Sequence, residues 1–198
     1  MRKEFFNNLA AKWDNLVVPD ARQKLSAIVT DTGLKEGIRV LDVGCGTGVM
    51  TPILLNAVGE TGAVTGIDFA GEMVALAEAK NSGPNVRFLE ADVDKMPFDT
   101  AQFDAVFCNN AFPHFPDKAV ALIELRRVLK AGGTLVICHT NSREGVNSMH
   151  RQIGGAVGED MLPSVPEILG MLNRAGFEVT EVIDGPDVFV VRASRAVS

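Results

Sequence analysis

Val40-Leu41-Asp42-Val43-Gly44-Cys45-Gly46-Thr47-Gly48 joins a short apolar run to the start of a helical pattern. Glycines at alternate positions let a backbone turn with positive φ and bring its amides close to a ligand. Ile38 to Val43 has the unbroken apolar character of a buried strand, and Val49 to Val58 has helical periodicity. In an open α/β sheet, such a strand–turn–helix places a ligand just beyond the carboxyl end of the strand. The plain alternative is a tight turn that binds nothing.

The same alternation continues outward. Ala63 to Ile67 reads as a strand, Ala70 to Asn81 as a helix, Val86 to Leu89 as a third strand and Phe103 to Cys108 as a fourth. A helix follows from about Pro116 to Lys130, closed by Gly132-Gly133 as its glycine stop. Thr134 to Cys138 is a fifth strand. A helix from about Pro166 to Ala175 leads to Phe177–Ile183, a turn at Gly185-Pro186, and a return over Val188–Val191. Before the glycine loop, Phe5, Phe6, Leu9 and Trp13 recur at helical spacing from about Lys3 to Asp14, and a second helix covers about Asp20 to Thr32. Alternating strands and helices predict an α/β fold: a Rossmann-like, doubly wound, mostly parallel seven-stranded sheet with a C-terminal antiparallel hairpin and helices on both faces. With no repeat, low-complexity tract or linker, the expectation is one domain over residues 1–198. It comprises a helical cap at 1–33, a cofactor-binding core at 34–140, and acceptor-side helices with the hairpin at 141–198.

The ligand can be narrowed by charge and spacing. A dinucleotide fingerprint, G-x-G-x-x-G, would need a third glycine where Val49 or Thr51 stands. Asp42, just before the loop, also suits a cationic ligand better than a pyrophosphate. S-adenosylmethionine carries an ammonium and a sulfonium.

With these motifs in order, the chain resembles the class I S-adenosylmethionine-dependent methyltransferases, and among them the menaquinone and ubiquinone biosynthesis C-methyltransferases. The resemblance spans Phe5 to Gly133. It rests on Val40–Gly48, on Thr65-Gly66-Ile67-Asp68-Phe69 through Met73 and Ala77, and on Ala91-Asp92-Val93 with Met96-Pro97-Phe98. Phe103 through Asn109, followed by Leu125 to Gly133, completes it. The resemblance implies that Gly44, Cys45, Gly46 and Gly48, with the main chain near Asn109, hold the methionine end beside Asp42. It implies that Asp68 binds both ribose hydroxyls, that Phe69 and Met73 pack on the adenine, and that Asp92, with the backbone of Val93, receives the adenine amino group. A helix N-cap is the structural alternative for Asp68. Phe5, Phe6 and Trp13 resemble part of a flap over cofactor and acceptor, against which stands simple docking of an amphipathic helix. From Asn141 to Pro163 the sequence departs from the quinone enzymes.

Methyl transfer from a sulfonium needs alignment and exclusion of water, and only sometimes a base. The candidate catalytic or acceptor-binding residues are His139, at the end of the fifth strand, His150 and His114. His150 belongs to a helix from an N-cap at Ser142 to about Val157. There Arg143, Asn147 and His150 share one face, and Val146, Met149 and Ile153 form an adjoining apolar stripe. The polar face reads either as solvated surface or as pocket lining. With no tyrosine in the chain, a Tyr base is excluded.

The chain has 198 residues, 46% hydrophobic and 22% charged, with a formal net charge of −6. This balance argues against nucleic acid as a partner, and no run reaches the ~18 apolar residues of a membrane span. Cys45, Cys108 and Cys138 match no zinc or disulfide spacing, and no metal is expected. No secretory segment begins the chain, so a cytoplasmic setting is expected. The length favours a small-molecule acceptor over a macromolecule, and nothing in the sequence sets an oligomeric state. Two other readings remain: a non-catalytic relative that binds S-adenosylmethionine as a sensor or partner module, and, more remotely, an NAD(P)-dependent oxidoreductase.

Overall fold

The computed structural model describes residues 2–16 and 20–197. Met1, Val17 to Pro19 and Ser198, which the expected cap and C-terminal segment include, lie outside them. The chain divides into two compact units, one up to Asp92 and one from Val93 onward. Its strands make the Rossmann-like α/β class, a seven-stranded, mostly parallel sheet ending in an antiparallel hairpin. Among the described residues, no helix is long and apolar enough to cross a membrane.

The first unit begins with α1 (Arg2–Leu9), a 3-10 continuation (Ala10–Asn15) and α2 (Ala21–Thr30). Then come β1 (Arg39–Val43), α3 (Thr51–Val58), β2 (Ala63–Asp68), α4 (Gly71–Lys80) and β3 (Val86–Glu90). The strands are parallel in the order β3-β2-β1, with Val43 level with Ile67, and Asp68 level with Glu90. Their carboxyl ends therefore finish at one edge, and the loops after β1, β2 and β3 leave from it. The single helix expected over Lys3–Asp14 is corrected: it gives way at Leu9 to the tighter 3-10 turn. Asp14, within that turn, is tied to Thr47 and Lys80.

Gly66 is what allows β2 to pack closely. A Cβ there would fall 2.5 Å from the Phe88 ring and 3.0 Å from Cys45 Sγ. Phe88 and Cys45 occupy that space in a buried cluster with Val74 and Ala77.

The second unit opens with a 3-10 turn (Val93–Lys95), β4 (Phe103–Asn109) and a second 3-10 turn (Phe112–His114). It continues with α5 (Lys118–Val128), β5 (Leu129–His139), α6 (Arg143–Ile153), α7 (Val165–Arg174), β6 (Phe177–Asp184) and β7 (Phe189–Arg195). The strand order is β4-β5-β7-β6; β4 and β5 are parallel, and the hairpin pairs antiparallel. Asp117 caps α5, accepting from the amides of Ala119 and Val120. The expected helix stop at Gly132-Gly133 is corrected. The helix ends at Val128, Leu129 is already extended, and the glycines lie inside β5. There the register jumps from Phe103↔Leu129 to Ala105↔Thr134. Gly132 has φ +71°, and a Cβ on Gly133 would meet Asp104 O at 2.9 Å, so the pair shapes a β irregularity.

Gly66→Ala is expected to lower unfolding free energy by about 2 kcal/mol, through overpacking against Phe88 and Cys45. Urea denaturation checks this: the midpoint falls while the slope stays unchanged.

Candidate functional site

In the first unit, one strand end organises the glycine loop. The amides of Gly44 and Cys45 both donate to the Ile67 carbonyl, at 2.8 and 2.9 Å. The Asp68 carboxylate takes the Gly46 amide on Oδ2 and the Ala70 amide on Oδ1, each at 2.9 Å. Asp68 is therefore not the helix cap, since α4 is capped at Ala70 with no side-chain bond. An ionised carboxylate offers about four lone-pair positions, so Asp68 keeps acceptor capacity beyond these two amides. Burial raises its pKa, while the amides of Ala70 and Gly46 oppose the rise. Gly44, Gly46 and Gly48 all have positive φ. A side chain on Gly48 would be strained by its φ of +77° and crowded by Ala77 at 3.3 Å, and it would displace Asn81, whose side-chain amide donates to the Gly48 carbonyl.

Asp42 is buried to 1% exposure, and its Oδ2 has no hydrogen-bond partner among the described residues. Burial, and then the nearby charge of Asp68, raise its pKa to about 7. A buried carboxylate oxygen without a donor is costly, and a ligand's cationic group would relieve that cost. The same surroundings push the Cys45 thiol well above its ordinary pKa, chiefly by burial and then by Asp42 and Asp68. Cys45 is thus a packed loop residue and not a thiolate nucleophile.

The N-terminal segment is latched over this loop. Thr47 Oγ1 donates to Asp14 Oδ1 at 2.5 Å, and Lys80 bridges to Asp14 Oδ2. Trp13 Nε1 lies 3.5 Å from where a Gly46 Cβ would stand. Phe6 meets Phe69 edge-on at 5.5 Å, and Asn7 accepts from the Glu72 amide. Met73 is fully buried, Phe69 half-buried and Asp92 exposed. Asp14 and Thr47 escaped the sequence reading, since a contact across 33 residues leaves no local signature.

The second unit gathers all three histidines. His114 Nδ1 pairs with Asp160 Oδ2 at 2.8 Å, and His150 Nδ1 bonds to the Asp160 carbonyl. The rings of His114 and His150 lie 4.8 Å apart. His139 is 1% exposed, beside Phe189, and its Nε2 has no hydrogen-bond partner among the described residues. Burial, then the positions of His114 and His150, lower its pKa to about 3, so it stays neutral. On α6, the solvated-face reading is corrected: Asn147 and His150 are buried. Asn147 exchanges two bonds with Leu162, donating at 3.0 Å and accepting at 2.7 Å. The apolar stripe is corrected too, because Val146 is buried but Met149 and Ile153 are exposed. Arg143 sits apart, paired with Asp184. Asp160 was not foreseen, since it lies in a glycine-rich stretch that carries no periodic signal. Among the described residues, no group of three or more His, Cys, Asp or Glu is placed to hold a metal ion. Val93 is buried and Asn109 half-buried, with Asn109 Oδ1 3.8 Å from Cys138 Sγ.

Residues 41–137 match a family described as a methyltransferase domain. A demethylmenaquinone methyltransferase of Staphylococcus aureus is 38% identical over 141 residues, 69% of this chain and 58% of that protein. The chain thus spans less than two thirds of the length of the curated relatives it matches. A solved S-adenosylmethionine-dependent methyltransferase from Aquifex aeolicus is 30% identical, covers 94% of this chain and 98% of its own, and superposes with TM-score 0.79. The [4+2]-cyclase SpnF, at 24% identity and TM-score 0.69 over 88% of this chain and 81% of its own, shares the fold alone.

The linkage of Asp42 has a definite sign. Its folded pKa, about 7, lies above the ordinary 3.8, so the folded state holds the proton longer than the unfolded chain. Asp42 therefore subtracts stability progressively as pH rises from about 4 to about 7. Asp42→Asn is expected to stabilise the unliganded protein by about 4 kcal/mol at pH 8 and by almost nothing at pH 4. Chemical denaturation across that range measures the difference. His139 has the reverse sign, since its depressed pKa costs stability only as pH falls below about 6.5.

Proposed function

The chain belongs to the S-adenosylmethionine-dependent methyltransferases, and from that membership we propose that it transfers a methyl group from S-adenosylmethionine to a small-molecule acceptor. The whole chain acts as one catalytic domain, and the setting is cytoplasmic. The observation that carries the cofactor reading is Asp42 Oδ2, a buried carboxylate oxygen with no donor among the described residues, beside a loop of positive-φ glycines. That donor set fits a group with a cationic methionine end, which would also favour the ionised form of Asp42. A pyrophosphate would meet the same carboxylate with repulsion.

When bound, S-adenosylmethionine supplies an activated methyl on a sulfonium. The chain's own residues then have separate tasks. Gly44, Gly46 and Gly48 admit close backbone approach, and Asp42 receives the ammonium. Asp68 accepts from the ribose hydroxyls while still holding the Gly46 amide. Phe69 and Met73 face the adenine, and Asp92 with Val93 receives its amino group; Asn109 contributes main chain at the methionine end. The Phe6–Trp13 segment, latched through Asp14, keeps water from the loop. The histidines His114, His139 and His150 serve the acceptor. Relatives named for demethylmenaquinone make a reduced naphthoquinone the first acceptor to try. The sensor and oxidoreductase readings have no observation in their favour.

The test follows S-adenosylhomocysteine formation with a reduced 2-demethylated prenyl naphthoquinone and a panel of small phenols. Turnover above the no-acceptor blank is expected with at least one. Asp68→Ala is expected to weaken S-adenosylhomocysteine binding at least tenfold, through loss of the ribose bonds and of the Gly46 anchor. Binding without turnover of any acceptor would favour the sensor reading.

A further inference from the structure

We propose that Asp160 is a positioning residue, which orients His114 as the base taking a proton from an acidic acceptor such as a phenol or quinol. This rests on the methyltransferase reading and assigns the chemical class of its acceptor.

The argument begins on α6. Asn147 exchanges two hydrogen bonds with the backbone of Leu162, and His150 Nδ1 holds the carbonyl of Asp160. A helix face with two buried polar residues is thus stapled to the 160–162 segment, which fixes where the Asp160 carboxylate stands. That carboxylate meets His114 Nδ1 at 2.8 Å, with side-chain exposures of 6% for Asp160 and 12% for His114. An Nδ1–H donating to a carboxylate sets the ring tautomer, making Nε2 the basic nitrogen, and stabilises the imidazolium once formed.

The other two histidines are less suited. His139 is fully buried and held neutral, and His150 is committed through Nδ1 to a backbone carbonyl. Among the described contacts, Asp160 pairs with His114, the His150 ring lies 4.8 Å away and His139 is electrostatically linked to both histidines, while the Lys118 ammonium bonds the carbonyls of the flanking Pro113 and Phe115. The Asp160 carboxylate beside Nδ1 favours a proton on His114.

In the transfer, the acceptor's acidic proton passes to His114 Nε2. In a phenol, the electron pair left on oxygen forms the bond to the methyl carbon. In a quinol methylated at carbon, that pair becomes the carbonyl π bond as a ring π pair forms the C–CH3 bond, and the displaced ring C–H proton then returns to that oxygen. The carbon–sulfur pair returns to sulfur, leaving a neutral thioether and an imidazolium that loses its proton to water.

Two readouts test this. Long-range 1H–15N correlation spectra of histidine-labelled protein report the tautomer and titration of His114 without any turnover. The wild type is expected to carry Nδ1–H and a basic Nε2, and Asp160→Asn to lower the His114 midpoint by about one pH unit. The second readout is the pH profile of kcat/KM with a reduced demethylated prenyl naphthoquinone. Its acid limb is expected at the His114 midpoint and to move with it in Asp160→Asn, whereas His114→Gln loses at least 100-fold in kcat with unchanged S-adenosylhomocysteine affinity. An Nε2–H tautomer in the wild type, a His114 midpoint unmoved by Asp160→Asn, or His114→Gln turnover within threefold of wild type overturns the proposal. Should Asp160→Asn fail to fold, the wild-type tautomer and the match between wild-type midpoint and acid limb still decide it. Lack of naphthoquinol turnover by wild type, with the spectra as expected, counts against that acceptor and leaves the dyad standing.

Discussion

The loop after β1 is held by the end of β2, and the ligand chemistry depends on that attachment. Ile67 accepts two loop amides through its carbonyl, and Asp68 accepts a third through its carboxylate. These bonds keep Gly44, Cys45 and Gly46 against the strand end while Asp42 is sealed beneath them. Closing the loop this tightly has an electrostatic consequence, because two buried carboxylates oppose each other's ionisation. Asp68 has two amides to offset the burial of its charge, whereas Asp42 Oδ2 has no such donor among the described residues. The site is consequently most strained where a cation would relieve it.

The N-terminal segment belongs to the same arrangement. Asp14 reaches Thr47 inside the loop and Lys80 at the end of α4. Burial resists ionisation of Asp14, but hydrogen bonds from Lys80 and Thr47 prevail and lower its pKa. Latch and loop are therefore coupled through one carboxylate.

Much of this was legible in the residue order, and the exceptions have physical causes. The strands were readable because buried parallel strands are continuous apolar runs, and Asp42 stood out as an acid inside one of them. Gly132-Gly133 misled because glycine ends helices and also relieves β irregularities, and only the register jump in β5 separates the two. The faces of α6 were misassigned for a related reason. Periodicity says which residues share a face, but not whether Asn147 and His150 find buried partners. Those partners, Leu162 and Asp160, come from an irregular segment with no period to read. Asp160 was invisible in the same way, and so was the dyad it forms with His114.

The central claim is that Asp42, protonated for much of the time near neutrality in the unliganded protein, ionises to receive a cationic methionine end. Calorimetry of S-adenosylhomocysteine binding at pH 6.5, repeated in buffers of different ionisation enthalpy, measures this directly. With a pKa of about 7, Asp42 is expected to release about three-quarters of a proton on binding, and NAD+ is expected to give no heat. Binding with no proton released, or NAD+ bound in preference, would contradict the account.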